Sequence, residues 1–286
     1  MSRGLGDVYK RQDVTIKPGG PDIAPAQVLA GGGADVMVDW MPSALAAREK
    51  GLPLVNIAQP FKSSGMMLTC RKDMGVNTTA DLKGKTLGVW FYGNEYPFLS
   101  WMSRLGLKTD GSANGVTVLR QGWGVEPLTE GQAACVSTMS YNEYWVVRDA
   151  GYSPEQLTVF KYQSEGAATL EDGLYVHEKN LSDAAFKDKM VRFVRASMKG
   201  WKYAEANPKE AAMIILDNDD AGVQTEKHQV RMMGEIAKLT AGSNGSLDPA
   251  DYERTVKVLM SGDSDPVITK KPSGAWTNEI TNAALN

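Results

Sequence analysis

Five short stretches hold the residues whose types and spacing could grip a small molecule. They are Asp39-Trp40-Met41-Pro42-Ser43, Phe61-Lys62-Ser63-Ser64-Gly65, Tyr92-Gly93-Asn94-Glu95-Tyr96, Ser140-Tyr141-Asn142-Glu143 and Ser164-Glu165-Gly166. Trp40, Tyr92, Tyr96 and Tyr141 offer flat apolar walls, while Ser43, Ser64, Asn94, Glu95, Asn142, Glu143 and Glu165 offer hydrogen-bonding groups. That set suits a planar heterocycle or a small polar organic molecule. None of the five stretches contains an arginine, which a bare anion would usually want, so the heterocycle is favoured. Plainer readings stand beside these: Trp40 as packing, Glu95 and Glu143 as first-turn helix residues, and Trp123 of Gly122-Trp123-Gly124 as a surface or hinge residue. Trp90 and Trp101 are read as core.

Catalytic patterns are weak. The two histidines, His177 and His228, have no cysteine or nucleophilic serine motif beside them. GxSxG, HExxH and GxxxxGK[ST] do not occur. No cofactor and no metal is expected, and the chain does not read as an enzyme. A net charge of -3, without a basic cluster, argues against a nucleic-acid partner. No apolar run approaches the roughly 20 residues of a membrane span. Cys70 and Cys135 lie on separate expected strands and are read as two buried thiols, a single disulfide being the alternative in an oxidising compartment.

The elements that must position the five stretches alternate strand and helix. The segment Leu82–Leu99 gathers the pattern: a polar lead-in, an apolar strand Thr86–Phe91, a break at Gly93-Asn94, then a helix with Pro97 in its first turn. Asn94 is the expected N-cap of that helix. Strands are expected at Asp13–Lys17, Ala34–Val38, Leu54–Ala58, Gly65–Arg71, Val116–Leu119, Ala133–Met139, Leu157–Tyr162 and Gly173–Val176. Four of the five stretches follow a strand and the fifth precedes one, so a mainly parallel sheet would bring them to one edge. After Lys179 the chain turns helical, beginning with a long amphipathic helix bearing Phe186, Met190, Phe193, Val194, Met198 and Trp201 on one face.

The order Trp40 to Gly51, then Asp81-Leu82-Lys83-Gly84-Lys85, then Gly131-Gln132-Ala133-Ala134 resembles the NMT1/THI5-like (SsuA/THI5) group of type II periplasmic binding proteins of ABC importers. The resemblance runs from about Asp13 to about Met260. It implies an α/β fold of two lobes, 13–69 with 168–286 and 70–167, closing over a ligand in the cleft between them. It also implies a monomer outside the cytoplasm that delivers a small-molecule ligand to a membrane permease. Candidate ligands are a thiamine pyrimidine precursor, a riboflavin-like heterocycle, a sulfonate or a nitrate-like anion.

The group also contains thiamine pyrimidine synthases, which use pyridoxal phosphate and carry a CCCFC segment. The corresponding region here, Gln163 to Val176, has no cysteine, and Lys62 matches no cofactor lysine. Residues 1–12 look like translated adapter read-through. The expectation is therefore an N-terminally truncated chain, lacking the family's opening strand and Asn-Trp-type loop, with weakened stability or binding.

Overall fold

The computed structural model describes residues 13–20, 23–219, 221–261 and 266–285; the expectations for residues 1–12 lie outside it. Three strands, β1 (Met37–Asp39), β2 (Leu54–Ala58) and β8 (Gly173–His177), form a small sheet in the order β1-β8-β2. Five more form a larger sheet: β3 (Met66–Arg71), β4 (Thr86–Val89), β5 (Thr117–Arg120), β6 (Cys135–Met139) and β7 (Leu157–Lys161), ordered β5-β4-β6-β3-β7.

The expected mainly parallel sheet is corrected. Only β4 runs parallel to its neighbours β5 and β6; β3 pairs antiparallel with β6 and β7, and β8 antiparallel with β1 and β2. The cause is the chain path. The first helix-linked strands, β1 and β2, do run the same way, but β8 returns from the larger sheet and inserts between them in the opposite sense. The chain leaves the small sheet after Ala58 and comes back before Gly173. The expected division at 69/70 falls inside β3, all six residues of which pair in the larger sheet.

Asp13–Lys17, expected as a strand, has no strand partner among the described residues. Alternation alone does not make a strand without a neighbour to complete its hydrogen bonds. The two cysteines form a disulfide, correcting the reading as thiols. Cys70 on β3 and Cys135 on β6 are direct cross-strand partners with Cα atoms 3.9 Å apart, a register that local sequence does not display.

Short helices link the early strands: α1 (Pro25–Ala30), α2 (Met41–Glu49), α3 (Tyr96–Arg104), α4 (Glu126–Thr129) and α5 (Glu143–Asp149). The C-terminal part supplies α6 (Ala184–Ala206), α7 (Pro208–Leu216), α8 (Glu226–Thr240), α9 (Pro249–Leu259) and α10 (Glu279–Leu285). Helix α6 starts at the Asp183 cap, whose carboxylate accepts from Ala185 N at 2.8 Å. Its Phe186, Met190, Val194 and Met198, spaced by four, pack on Val55, Ile57 and Val176. Phe193 and Trp201 are only half-buried at its margin. Burial of each such side chain stabilises by about 1.5–3 kcal/mol. Helix α10, not evident in the sequence, rests Ile280 and Ala284 on the same core. Trp101 of α3 lies in the core of the larger sheet with edge contacts to Phe160 and Tyr162.

Candidate functional site

A cleft of about 610 Å³ opens where the strand-end turns of the two sheets face each other. Trp40 enters it from the end of β1, and Trp90, Phe91 and Asn94 from the end of β4. Arg120 ends β5 and Gln121, Gly122 and Trp123 follow it, while Met139 and Glu143 come from the end of β6. Gly20 completes the lining.

Local chemistry fixes each wall. Asp39 accepts from its neighbour's backbone, Trp40 N, at 2.8 Å and from Ser43 Oγ at 3.0 Å, so it shapes the first turn of α2. Burial pushes its carboxyl up to about 6 against those hydrogen bonds. The carboxyl of Asp172, just before β8, is likewise raised by burial to about 6, and the nearby Trp40 side chain opposes that rise. Trp40 packs against the core of the larger sheet.

The turn after β4 bends sharply through two residues with positive φ, Tyr92 at 63° and Gly93 at 107°. Glycine is required at 93: a Cβ there would stand 2.5 Å from the Ser43 Cβ, so the turn sits directly on α2. Glu95 closes the turn, Oε2 accepting from Gly93 N at 2.7 Å, and burial raises its carboxyl. The N-cap of α3 is Glu95 rather than Asn94; Asn94 Nδ2 instead donates to Phe91 O at 3.1 Å. Gln121 fastens the turn after β5 to β6, accepting from Ser137 N and donating to Ser137 O, each at 2.9 Å. Arg120 lies over the Tyr92 ring, 5.0 Å from its centroid, and donates to Tyr92 Oη at 3.0 Å. Trp90 Nε1 donates to Gly122 O at 3.0 Å. Trp123 is 71% exposed.

Glu143, 8% exposed, is the acid of the site. Its Oε2 accepts from Met139 N at 2.9 Å and its Oε1 from Asn142 Nδ2 at 2.7 Å. Burial raises its carboxyl; the two hydrogen bonds oppose that by favouring the ion. A carboxylate has about four acceptor positions, and these bonds use two.

Of the residues the sequence proposed, Trp40, Asn94 and Glu143 line the cleft. Ser43, Tyr92, Glu95 and Asn142 stand behind them through the contacts above. Tyr96 packs against the core of the small sheet. Tyr141 packs against the core of the larger sheet, where burial holds its phenol well above the usual range. Ser64 donates to Glu171, and Glu165 is held at its backbone oxygen by Arg104 Nη2 at 2.9 Å; neither lines the cleft.

Sequence reasoning missed Phe91, Arg120, Gln121 and Met139; Trp90, read as core, packs at the margin of the larger-sheet core and also lines the cleft. Arg120 also qualifies the inference from absent arginines, because it reaches the cleft from a strand end outside the five stretches. The available signal was position: Arg120 ends a strand parallel to β4, and ligands dock at the carboxyl ends of such strands.

Glu171, 1% exposed, belongs to the stretch that returns to the small sheet, yet it accepts from Gly65 N at 2.8 Å, Met66 N at 3.2 Å and Ser64 Oγ on the outgoing stretch. The two crossovers are stitched together there. Burial pushes this carboxyl up to about 8.

The family model described as NMT1/THI5 like matches residues 11–211. A formylaminopyrimidine-binding protein of Halalkalibacterium halodurans is 23% identical, over 89% of this chain and 78% of its own. Among solved structures, a protein of Bordetella bronchiseptica RB50 superposes with a TM-score of 0.68 at 20% identity, covering 90% of this chain and 82% of its own. A putative sulfonate ABC transporter periplasmic binding protein, SsuA, of Methylobacillus flagellatus KT gives 0.62 at 13%, covering 91% and 77%. The desulfurization enzyme DSZB also shares the fold, at 0.58 and 14%, covering 87% and 84%.

Proposed function

We propose that this chain, which belongs to the NMT1/THI5-like family, is the substrate-binding component of an ABC importer and captures a pyrimidine related to thiamine. The observation that carries the reading is the composition of the cleft: Trp40, Trp90, Phe91 and Trp123 around a buried carboxylate, Glu143. An aminopyrimidine is flat and presents N–H donors at one edge. Its ring stacks on the indoles, and its amino edge donates to the free acceptor positions of Glu143. Arg120 supplies a donor to an acceptor substituent on the ring. The relative from Halalkalibacterium halodurans is by its name a binder of such a compound.

Each sheet with its helices forms one lobe, and the stitched crossovers serve as the hinge about which the lobes close on the ligand. The working location is outside the cytoplasm, where the disulfide between Cys70 and Cys135 is at home. No helix among the described residues is long and apolar enough to cross a membrane, and the partner is a membrane permease that receives the ligand from a monomer. The role is binding rather than catalysis. His177 Nδ1 accepts from Lys179 N at 3.2 Å, and neither histidine lines the cleft, so the imidazoles are not placed to act on a bound molecule.

Isothermal titration with formylaminopyrimidine, an alkanesulfonate, nitrate, riboflavin and pyridoxal phosphate tests this. Formylaminopyrimidine is expected to bind tightest, with Trp40→Ala and Glu143→Gln each losing about tenfold or more. Preferential binding of the sulfonate would overturn the ligand class. An absorption band of a lysine Schiff base with pyridoxal phosphate would instead favour the synthase-like enzyme.

A further inference from the structure

Helix α8 packs with α6 and α7 on the small-sheet side of the molecule, yet its N-terminal end touches α5 of the larger sheet. Arg231 pairs with Asp149 at 3.0 Å and lies over the Trp145 ring, 4.7 Å from its centroid; Lys227 reaches the same Asp149 at 3.4 Å. Between these contacts and the cleft stands His228. Its backbone N–H is held by the Thr225 cap at 3.3 Å, and its Nε2 is 2.8 Å from Asn142 Oδ1.

The donors in this chain all point one way. Asn142 uses Nδ2 to donate to Glu143, so its Oδ1 is the acceptor and His228 Nε2 must carry the hydrogen. The sequence His228 Nε2–H to Asn142, Asn142 to Glu143 Oε1, and Met139 N–H to Glu143 Oε2 is therefore mutually consistent. Without His228, the Asn142 amide loses the bond that fixes which way it faces, and with it a donor to the cleft carboxylate.

We propose that His228 is a positioning residue for the ligand site: through Asn142 it holds Glu143 as an oriented acceptor, so that docking of α8 on α5 and ligand binding favour one another. The first half stands on the hydrogen bonds alone; the second rests on the functional reading above. Coupling of this kind is reciprocal.

The test uses His228→Ala and His228→Gln in the whole chain, with formylaminopyrimidine as the probe and amide hydrogen exchange of the ligand-free protein as a second readout. Glutamine keeps an N–H that can meet Asn142 Oδ1. H228A is expected to bind the probe about fivefold to tenfold more weakly and to exchange the Met139 amide about tenfold faster, with H228Q close to wild type in both. In an Asn142→Leu background, H228A should have no further effect on affinity, because its path to Glu143 is already cut. H228Q as weak as H228A, additive losses in the N142L background, or an unchanged Met139 amide in H228A would each overturn the positioning role. If wild type does not bind the probe but H228A alone deprotects Met139, positioning stands and the ligand assignment falls.

Discussion

Replacing Glu171 by glutamine should flatten the pH dependence of stability in a calculable way. Glu171 is 1% exposed and its carboxyl is pushed from 4.5 to about 8 by burial, which outweighs the bonds from Ser64, Gly65 and Met66. The folded state therefore holds a proton that the unfolded chain gives up. For a raised pKa the contribution is fully present below about 4.5 and is lost as pH climbs to about 8. Linkage between these two values gives a loss of roughly 3 to 4 kcal/mol on going from pH 5 to pH 8. Glutamine is neutral throughout, and its amide oxygen can still accept from Gly65 N. Asp39 and Asp172, also raised, titrate in both proteins and so largely cancel in the comparison. Urea unfolding at pH 5, 6, 7 and 8 reads the difference directly. Wild type should lose several kcal/mol, roughly 3 to 4, more than E171Q across that range, with E171Q the more stable at pH 8. Parallel curves would refute the argument and mean that Glu171 is already ionised in the folded state at pH 5.

Reduction of the disulfide, or replacement of both cysteines by serine, opens a covalent link between positions 65 residues apart. The chain-entropy relation puts the loss at about 4 kcal/mol, to be measured by denaturant midpoint with and without reductant. Gly93→Ala would force a Cβ to 2.5 Å from Ser43 at a φ of 107°. It should lower stability by about 2 kcal/mol or more. It should also move the two sheets apart, a change small-angle scattering would register; a neutral Tm with unchanged scattering would contradict the close approach.

What the sequence determined by itself was local. Spacing by four in Phe186, Met190, Val194 and Met198 marked the buried face of α6, and the apolar run before Gly93 marked β4 and the turn at its end. Trp40, Asn94 and Glu143 were legible because strand-end position and residue type coincide there. Tertiary structure decided the rest, because those features depend on which distant segments become neighbours. Cys70 meets Cys135 only through the register of β3 on β6. The small sheet is antiparallel because β8 returns between β1 and β2, and the larger sheet is mixed because β3 lies antiparallel between β6 and β7. Arg120 joins the cleft because β5 lies beside β4, and His228 meets Asn142 across 86 residues because α8 folds back onto α5. Periodicity along the chain reports how one element meets its own core; it carries no register between elements, and in this protein that register assembles the cleft.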